Sequence, residues 1–235
     1  MPPSSSNEHA ATAEKIQVLN KTAVEINVND SRPYLICKRF IDILGATVGL
    51  ILLSPLFLIV AFLIKLEDNN GPVIFKQIRV GKGGKEFYMY KFRSMVANAE
   101  ELKAQLMEKN EATGPVFKMK HDPRVTKIGR FIRKTSIDEL PQLINVLKGE
   151  MSLVGPRPPL PDEVVKYTSY ERQRISVTPG LTCYWQVSGR SSLSFDEWVD
   201  LDIKYIHERS LRVDIKLILK TVLVLFGSKD AYKER

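Results

Sequence analysis

The chain holds only two cysteines, Cys37 and Cys183, and three histidines, His9, His121 and His207. Two distant cysteines cannot build a disulfide framework or a thiolate zinc site, so both are expected as free thiols facing a reducing compartment. The histidines have no partner spacing for zinc and are expected as ordinary surface residues. There is no P-loop, no dinucleotide fingerprint and no G-x-S-x-G, which removes the commonest nucleotide-loop and serine-hydrolase chemistries. No internal repeat is present. Negative charge is also scarce. Against 35 Lys and Arg stand 27 Asp and Glu, a net charge of +8. That excess suits an anionic partner: a membrane face, nucleotide phosphates or nucleic acid. The basic residues form no recognisable nucleic-acid module, so nucleic acid is not an expected partner.

Aromatic residues are missing until Tyr34. The opening "MPPSSSNEHAATAEK" is small and polar and cannot bury enough apolar area to offset its ordering entropy. Residues 1–32 therefore read as a flexible tail, in which "IQVLNKTAVEINV" is a short strand or docking segment. No apolar core lies near Met1, so a secretory signal peptide is not expected.

What the chain does have is one long apolar run. Ile43 to Ile64 carries no charge; its length of about 22 residues gives about 33 Å as a helix, just enough to span a bilayer. Two features stand against a simple span. Lys38 and Arg39 precede the run and Lys65, Lys76, Arg79 and Lys82 follow it, whereas a spanning helix should carry its positive charge on one side. Pro55 sits at its midpoint, where it removes a backbone N–H and crowds the carbonyl of Ile51. Ser54 can bond back to the preceding turn. A kinked spanning helix, a buried core segment and a helix that enters the membrane and returns all remain open on these grounds.

Beyond the run, "PVIFKQIRVGKGGKEFYMYKFRSM" (Pro72 to Met95) reads as a β-hairpin around glycines that permit positive φ. "ANAEELKAQLMEKNEA" (Ala97 to Ala112) reads as a solvated helix. A basic cluster follows (Lys118, Lys120, Arg124, Lys127, Arg130, Arg133, Lys134), then the adjacent carboxylates Asp138 and Glu139, then a helix ending at Gly149 as C-cap. "VGPRPPLP" is a rigid proline-set segment, and "VTPGLTCYWQVSGR" a turn, a short strand and a Gly-Arg corner. The end of the chain reads as two helices. The second is apolar and basic enough to lie on a membrane interface, or else is a buried core helix.

Asp138 and Glu139 are the candidate acid pair. Neighbours on a helix point about 100° apart, so they would serve different roles. Ser136-x-x-Glu139 also matches a capping box, and Asp138 itself suits an N-cap with Pro141 in the first turn. Capping and catalysis are compatible, because a helix N-terminus is an anion site.

The motifs "KFRSM" (Lys91 to Met95), "DPRVTKIGRFIRKTSIDELPQLINVLKGEMSLVGPRP" (Asp122 to Pro158) and "TPGLTCYWQVSGR" (Thr178 to Arg190) closely resemble the bacterial sugar transferase family, the monotopic polyprenyl-phosphate phosphoglycosyl transferases. The likeness runs from Lys38 to Tyr232. It implies transfer of a sugar-1-phosphate from a UDP-sugar to undecaprenyl phosphate at the cytoplasmic face of the bacterial inner membrane. UMP would be released, Mg²⁺ would assist, and a membrane helix would be bent at Ser54-Pro55. Carried over by motif, Asp138 would be the nucleophile and a metal ligand, with Glu139 its partner. Lys91, Arg93, Arg133, Arg157 and Arg190 would hold phosphate or nucleotide. Pro156 and Pro158 would frame Arg157. Membrane lipids, a homo-oligomer and downstream glycosyltransferases are the further partners the resemblance brings in. The Ala97–Ala112 stretch makes this domain longer than the smallest members and similar to the catalytic half of larger ones, without their upstream helical bundle. The expected fold is α+β: a re-entrant helix-break-helix over 33–66 and a mostly helical catalytic domain over 67–235 with a β-hairpin and C-terminal interfacial helices. The alternative function is a catalytically silent membrane scaffold of polysaccharide assembly. A basic lipid-binding surface protein is the third class.

Overall fold

The computed structural model describes residues 28–106, 119, 121–188 and 193–226. Its first helix, α1 (Arg32–Glu67), is 36 residues long with Pro33 in its opening turn, where a missing N–H costs nothing. The helix does not break at Ser54-Pro55; it continues through Pro55. The reason is local. Pro55 takes away the donor due to the carbonyl of Ile51, and the Ser54 hydroxyl donates to that same carbonyl at 2.8 Å. The expected helix-break-helix is thus corrected to one helix with a substituted hydrogen bond at its centre.

Both ends of α1 are fastened to the same domain. At its start, Lys38 Nζ donates to Asp214 Oδ2 at 3.1 Å and to the carbonyl of Val154 at 2.9 Å. Asp42 accepts from Ser152 Oγ and Leu153 N. At its end, Glu67 accepts from the backbone N–H of Lys127 and Ile128, and Asp68 pairs with Arg93 at 2.9 Å. Between these anchors one stripe packs inward (Ala46, Val60, Ile64) while Ile51, Leu52, Leu58 and Phe62 are exposed. Of the expected tail, the described residues 28–31 are not free. Residues 28–31 are docked: Asn29 donates to the carbonyl of Arg209, and Arg209 pairs with Asp30. Residues 1–27 lie outside the described residues.

The hairpin forms as read. β1 (Ile74–Val80) pairs antiparallel with β2 (Glu86–Phe92), with Val80 opposite Glu86. Gly83 and Gly84 take positive φ in the connection. Directly opposed residues share a face, so Gln77 and Arg79 lie on one face with Phe87, Met89 and Lys91. Phe87 and Met89 pack with Ala46, Leu143 and Val146 under α1. Helix α2 (Ala99–Leu106) takes up the first part of the expected polar helix; residues 107–112 lie outside the described residues.

Next come α3 (Lys127–Lys134), capped by Thr126 Oγ1, and α4 (Gln142–Lys148), closed by Gly149 at φ 81°. Helix α1 caps both. Glu67 places a carboxylate on the N-terminus of α3, and Arg39 donates to the carbonyls of Val146 and Leu147 at the C-terminus of α4 at 2.6 and 2.7 Å. Each charge has the sign its helix dipole favours.

A second, parallel pair joins β3 (Ser152–Val154) to β4 (Gly180–Thr182). Gly180 permits it: a Cβ there would lie 2.1 Å from the nitrogen of Gly155. Two short helices, α5 (Pro161–Lys166) and α6 (Ser169–Arg172), lead on to α7 (Phe195–Glu208) and α8 (Leu211–Phe226). The largest core joins Val154, Val164, Ile175, Cys183, Ile206 and Leu217. Helix α8 buries one face and exposes the other. Asp214 and Leu217 are buried, while Ile215, Leu219, Val222 and Leu223 are exposed. Arg212, Lys216 and Lys220 line the same outer face as Ile215, Leu219 and Leu223. The fold is α+β, as expected.

Candidate active site

Asp138 and Glu139 do not start a helix. They occupy a separate 3-10 turn, Ile137–Glu139, set between α3 and α4. The capping readings are corrected accordingly. Ser136 makes no side-chain cap hydrogen bond, and α4 begins later, at Gln142, with Pro141 before it. Ser136 instead carries the chain round with φ 60° and ψ 13°, a left-handed conformation that costs a non-glycine residue roughly 1–2 kcal/mol. The backbone holds it there: Ser136 N donates to the carbonyl of Arg133, and Glu139 N to that of Ser136. This bend turns Asp138 inward. It is 6% exposed, while Glu139 is half-buried and accepts from Lys91 Nζ at 3.1 Å. Adjacent carboxylates therefore sit in different surroundings, as two distinct roles require.

Lys91 comes from β2. Burial pushes its ammonium below the ordinary lysine value, Glu139 and Asp138 push it back up, and Arg157 and Arg79 push it down again. These five charged groups thus share one neighbourhood. Arg157 is carried by the Pro156–Pro158 segment, whose carbonyls are pinned: Gly180 N donates to Pro156, Arg79 Nη1 to Pro158, and Val80 N to Pro159. Arg133 stands half-buried in the last turn of α3, and Asp122 feels its charge. Arg93 does other work. Its guanidinium pairs with the Asp68 carboxylate and also bonds the Asp68 carbonyl, at the end of α1. Arg190, Lys118 and Lys120 lie outside the described residues.

Three contributors escaped the sequence reading. Asn145, fully buried, accepts from Tyr90 N at 3.0 Å and donates to the carbonyl of Tyr88 at 2.7 Å, stitching α4 to the strand that carries Lys91. Its signal was a lone amide inside "LINVL". Arg79 and Gln77 pair on the hairpin face, Arg79 Nε and Nη2 donating to Gln77 Oε1 at 3.1 and 2.7 Å. Their signal was an i, i+2 polar pair on one strand.

Behind Arg157 lies a buried ion pair, Arg174 with Asp202, at 2.8 Å. Arg174 also donates to Tyr167 Oη. Burial raises the Cys183 thiol well above its ordinary value, and Asp202 adds to it. Both cysteines are free, Cys37 exposed and Cys183 buried. His121 and His207 are exposed, as expected.

No cluster of three or more His, Cys, Asp or Glu able to cage a metal occurs among the described residues. Mg²⁺ does not need one. It is commonly held by one or two carboxylates plus substrate phosphates, with water completing the shell. Asp138 beside Glu139 fits that mode.

Comparison with known proteins shows the family. Residues 33–228 match the family model for bacterial sugar transferases. The galactosyl transferase CpsE of Streptococcus agalactiae is 52% identical over 198 residues, covering 83% of this chain and 43% of that protein. The undecaprenyl-phosphate galactose phosphotransferase of Salmonella typhimurium is 44% identical over 203 residues, covering 83% and 41%. The exopolysaccharide production protein ExoY of Sinorhizobium fredii is 40% identical over 201 residues, covering 84% and 88%. The chain thus spans less than half of the first two relatives and most of the third. The match takes in α1, the hairpin, the buried Asp138 turn and the Pro-Arg-Pro segment together, and the chain belongs to the bacterial sugar transferase family.

Proposed function

We propose that the chain is a phosphoglycosyl transferase that moves a sugar-1-phosphate from a UDP-sugar to a polyprenyl phosphate, undecaprenyl phosphate in bacteria, opening surface polysaccharide synthesis. One observation carries the reading: Asp138 is buried on a tight turn while Glu139 next to it is held by Lys91, with Arg157 and Arg79 in electrostatic reach. Cations at that spot suit a diphosphate, whose negative oxygens otherwise repel a nucleophile. The name of the Salmonella relative supplies the acceptor class.

In this mechanism a carboxylate oxygen of Asp138 bonds to the sugar-bearing phosphorus. The bond from that phosphorus to the UMP oxygen breaks, and UMP leaves with the electron pair. An oxygen of the lipid phosphate then attacks the same phosphorus and frees the Asp138 carboxylate. Glu139 accepts the proton when the lipid phosphate arrives protonated. Lys91 aims Glu139, and Arg157 faces the diphosphate, with Arg133 and Arg190 as further phosphate and nucleotide contacts. Asp138, together with substrate phosphate oxygens, would hold Mg²⁺, which when bound neutralises charge on the diphosphate.

The same reading keeps both ends of α1 on the cytoplasmic side of the membrane rather than letting the helix cross. It is supported by the polar anchors at both helix ends and the exposed apolar stripe between them. The outer face of α8, with Arg212, Lys216 and Lys220 beside Leu219 and Leu223, suits the headgroup level. Residues 67–235 then form the catalytic body on the cytoplasmic side.

The test is single turnover. With UDP-sugar and no lipid acceptor, the wild type should release about one UMP per active site and gain a sugar-phosphate mass at Asp138. Asp138→Asn should do neither while staying folded, and chelator should stop turnover until Mg²⁺ is restored. UMP release only in the presence of lipid, with no adduct after acid quench, would replace the two-step route by direct attack.

A further inference from the structure

Arg79 is 4% exposed, yet its three side-chain hydrogen bonds among the described residues all go to neutral oxygens. Two go to Gln77 Oε1 and one to the carbonyl of Pro158. Burying a guanidinium on neutral partners is costly. A fold that only needed to fill this place would do so with an apolar side chain. The cost has a geometric return. Gln77, two residues back on the same strand face, takes Nε and Nη2 together and fixes the plane of the guanidinium. Nη1 is thereby aimed at Pro158, one residue after Arg157. Val80 N adds a second grip on the same segment through Pro159, at 2.9 Å. The end of β1 thus holds the Arg157 segment from one side, and β4 holds it from the other through Pro156.

We infer that Arg79, aimed by Gln77, is a positioning residue that sets Arg157 against the Asp138–Glu139 turn, so that Arg157 and Lys91 form one pocket for a diphosphate. The inference rests on the reading of this site as a phosphoryl-transfer centre and adds to it a residue outside the family-matched motifs named above. Electrostatics agree: Arg79 feels Arg157 as a repelling neighbour and Glu139 and Glu163 as attracting ones. Two like charges are held together beside a carboxylate, an arrangement that an incoming diphosphate relieves.

A double-mutant cycle tests it, read by affinity for inorganic pyrophosphate on the full chain in lipid nanodiscs and, separately, by UMP release. Arg79→Met and Arg157→Met should each weaken pyrophosphate binding by about 10- to 100-fold, the scale of one charge-assisted hydrogen bond. Because Arg79 acts through Arg157, the double variant should bind about as weakly as Arg157→Met alone. Gln77→Met, which keeps the charge and loosens its aim, should show a smaller loss that also vanishes in the Arg157→Met background, and it serves if Arg79→Met does not fold. Additive losses, or a wild type that does not bind pyrophosphate, would overturn the inference. Binding losses that are coupled in a protein with no UMP release would instead overturn the proposed reaction and leave the positioning role standing.

Discussion

Lys91 Nζ lies 3.1 Å from Glu139 Oε1, with both side chains largely withdrawn from solvent. The pair links the hairpin to the Asp138 turn and gives the site a titrating cation. Burial, with Arg157 and Arg79, outweighs the two carboxylates, so Lys91 loses its proton below the ordinary lysine value of 10.5.

That direction fixes the sign of an alkaline limb. Below its lowered value Lys91 is charged, Glu139 is held, and the pocket keeps its cation. As pH rises through that value the ammonium is lost and kcat/KM for UMP release falls, earlier than for an exposed lysine. Lys91→Arg stays charged across this range, so its limb should move to higher pH even if its maximum rate is lower. Lys91→Ala should cost about 10- to 100-fold at neutral pH, as for one lost charged contact. An unmoved limb in Lys91→Arg would assign the titration elsewhere.

Asn145 predicts a stability effect separate from chemistry. Asn145→Leu keeps the volume but leaves the N–H of Tyr90 and the carbonyl of Tyr88 without the amide that meets them. Each orphaned group costs about 1–3 kcal/mol, so the variant should lose about 2–6 kcal/mol, read as a lower denaturant midpoint in detergent. Activity should fall too, because the stitch sets the register between α4 and the strand of Lys91. An unchanged midpoint would show that the stitch contributes nothing.

These cases show what the sequence discloses. The hairpin, the Gly149 cap and the last two helices were legible because their signals are local: alternation, a glycine after a basic turn, apolar spacing. The Asp138 turn was half legible. The residue types pointed to an acid pair, but the capping pattern belongs to a helix that starts three residues after Glu139, at Gln142. Arg93 was read beside Lys91, two positions away on the chain. It lies beyond the end of β2, where Asp68 takes it. Asn145, Arg79, Arg39 and Glu67 act on elements distant in sequence, and no local pattern says which carbonyl or N–H each will meet.

The anchors of α1 make the membrane reading testable. Arg39 caps the helix after Asp138 and Glu67 caps the helix before it, so a helix with one end outside the cell would strip a cap from the active-site segment. Single cysteines at the exposed positions Ser31 and Asn69, in a Cys37→Ser background, report both ends. Cys183 is buried with a raised thiol and should stay silent. A membrane-impermeant maleimide should label neither site in intact cells and both in inverted vesicles; labelling of either from outside would overturn that reading. Ser54 and Pro55 then follow from the same hydrogen bond. Ser54→Ala leaves the Ile51 carbonyl without its donor, a loss of up to several kcal/mol in hydrocarbon, so membrane-inserted protein should fall. Adding Pro55→Ala to Ser54→Ala returns a backbone N–H to that carbonyl and should restore insertion, while loss of the proline should shift the helix toward crossing, seen as outside labelling at Ser31 or Asn69.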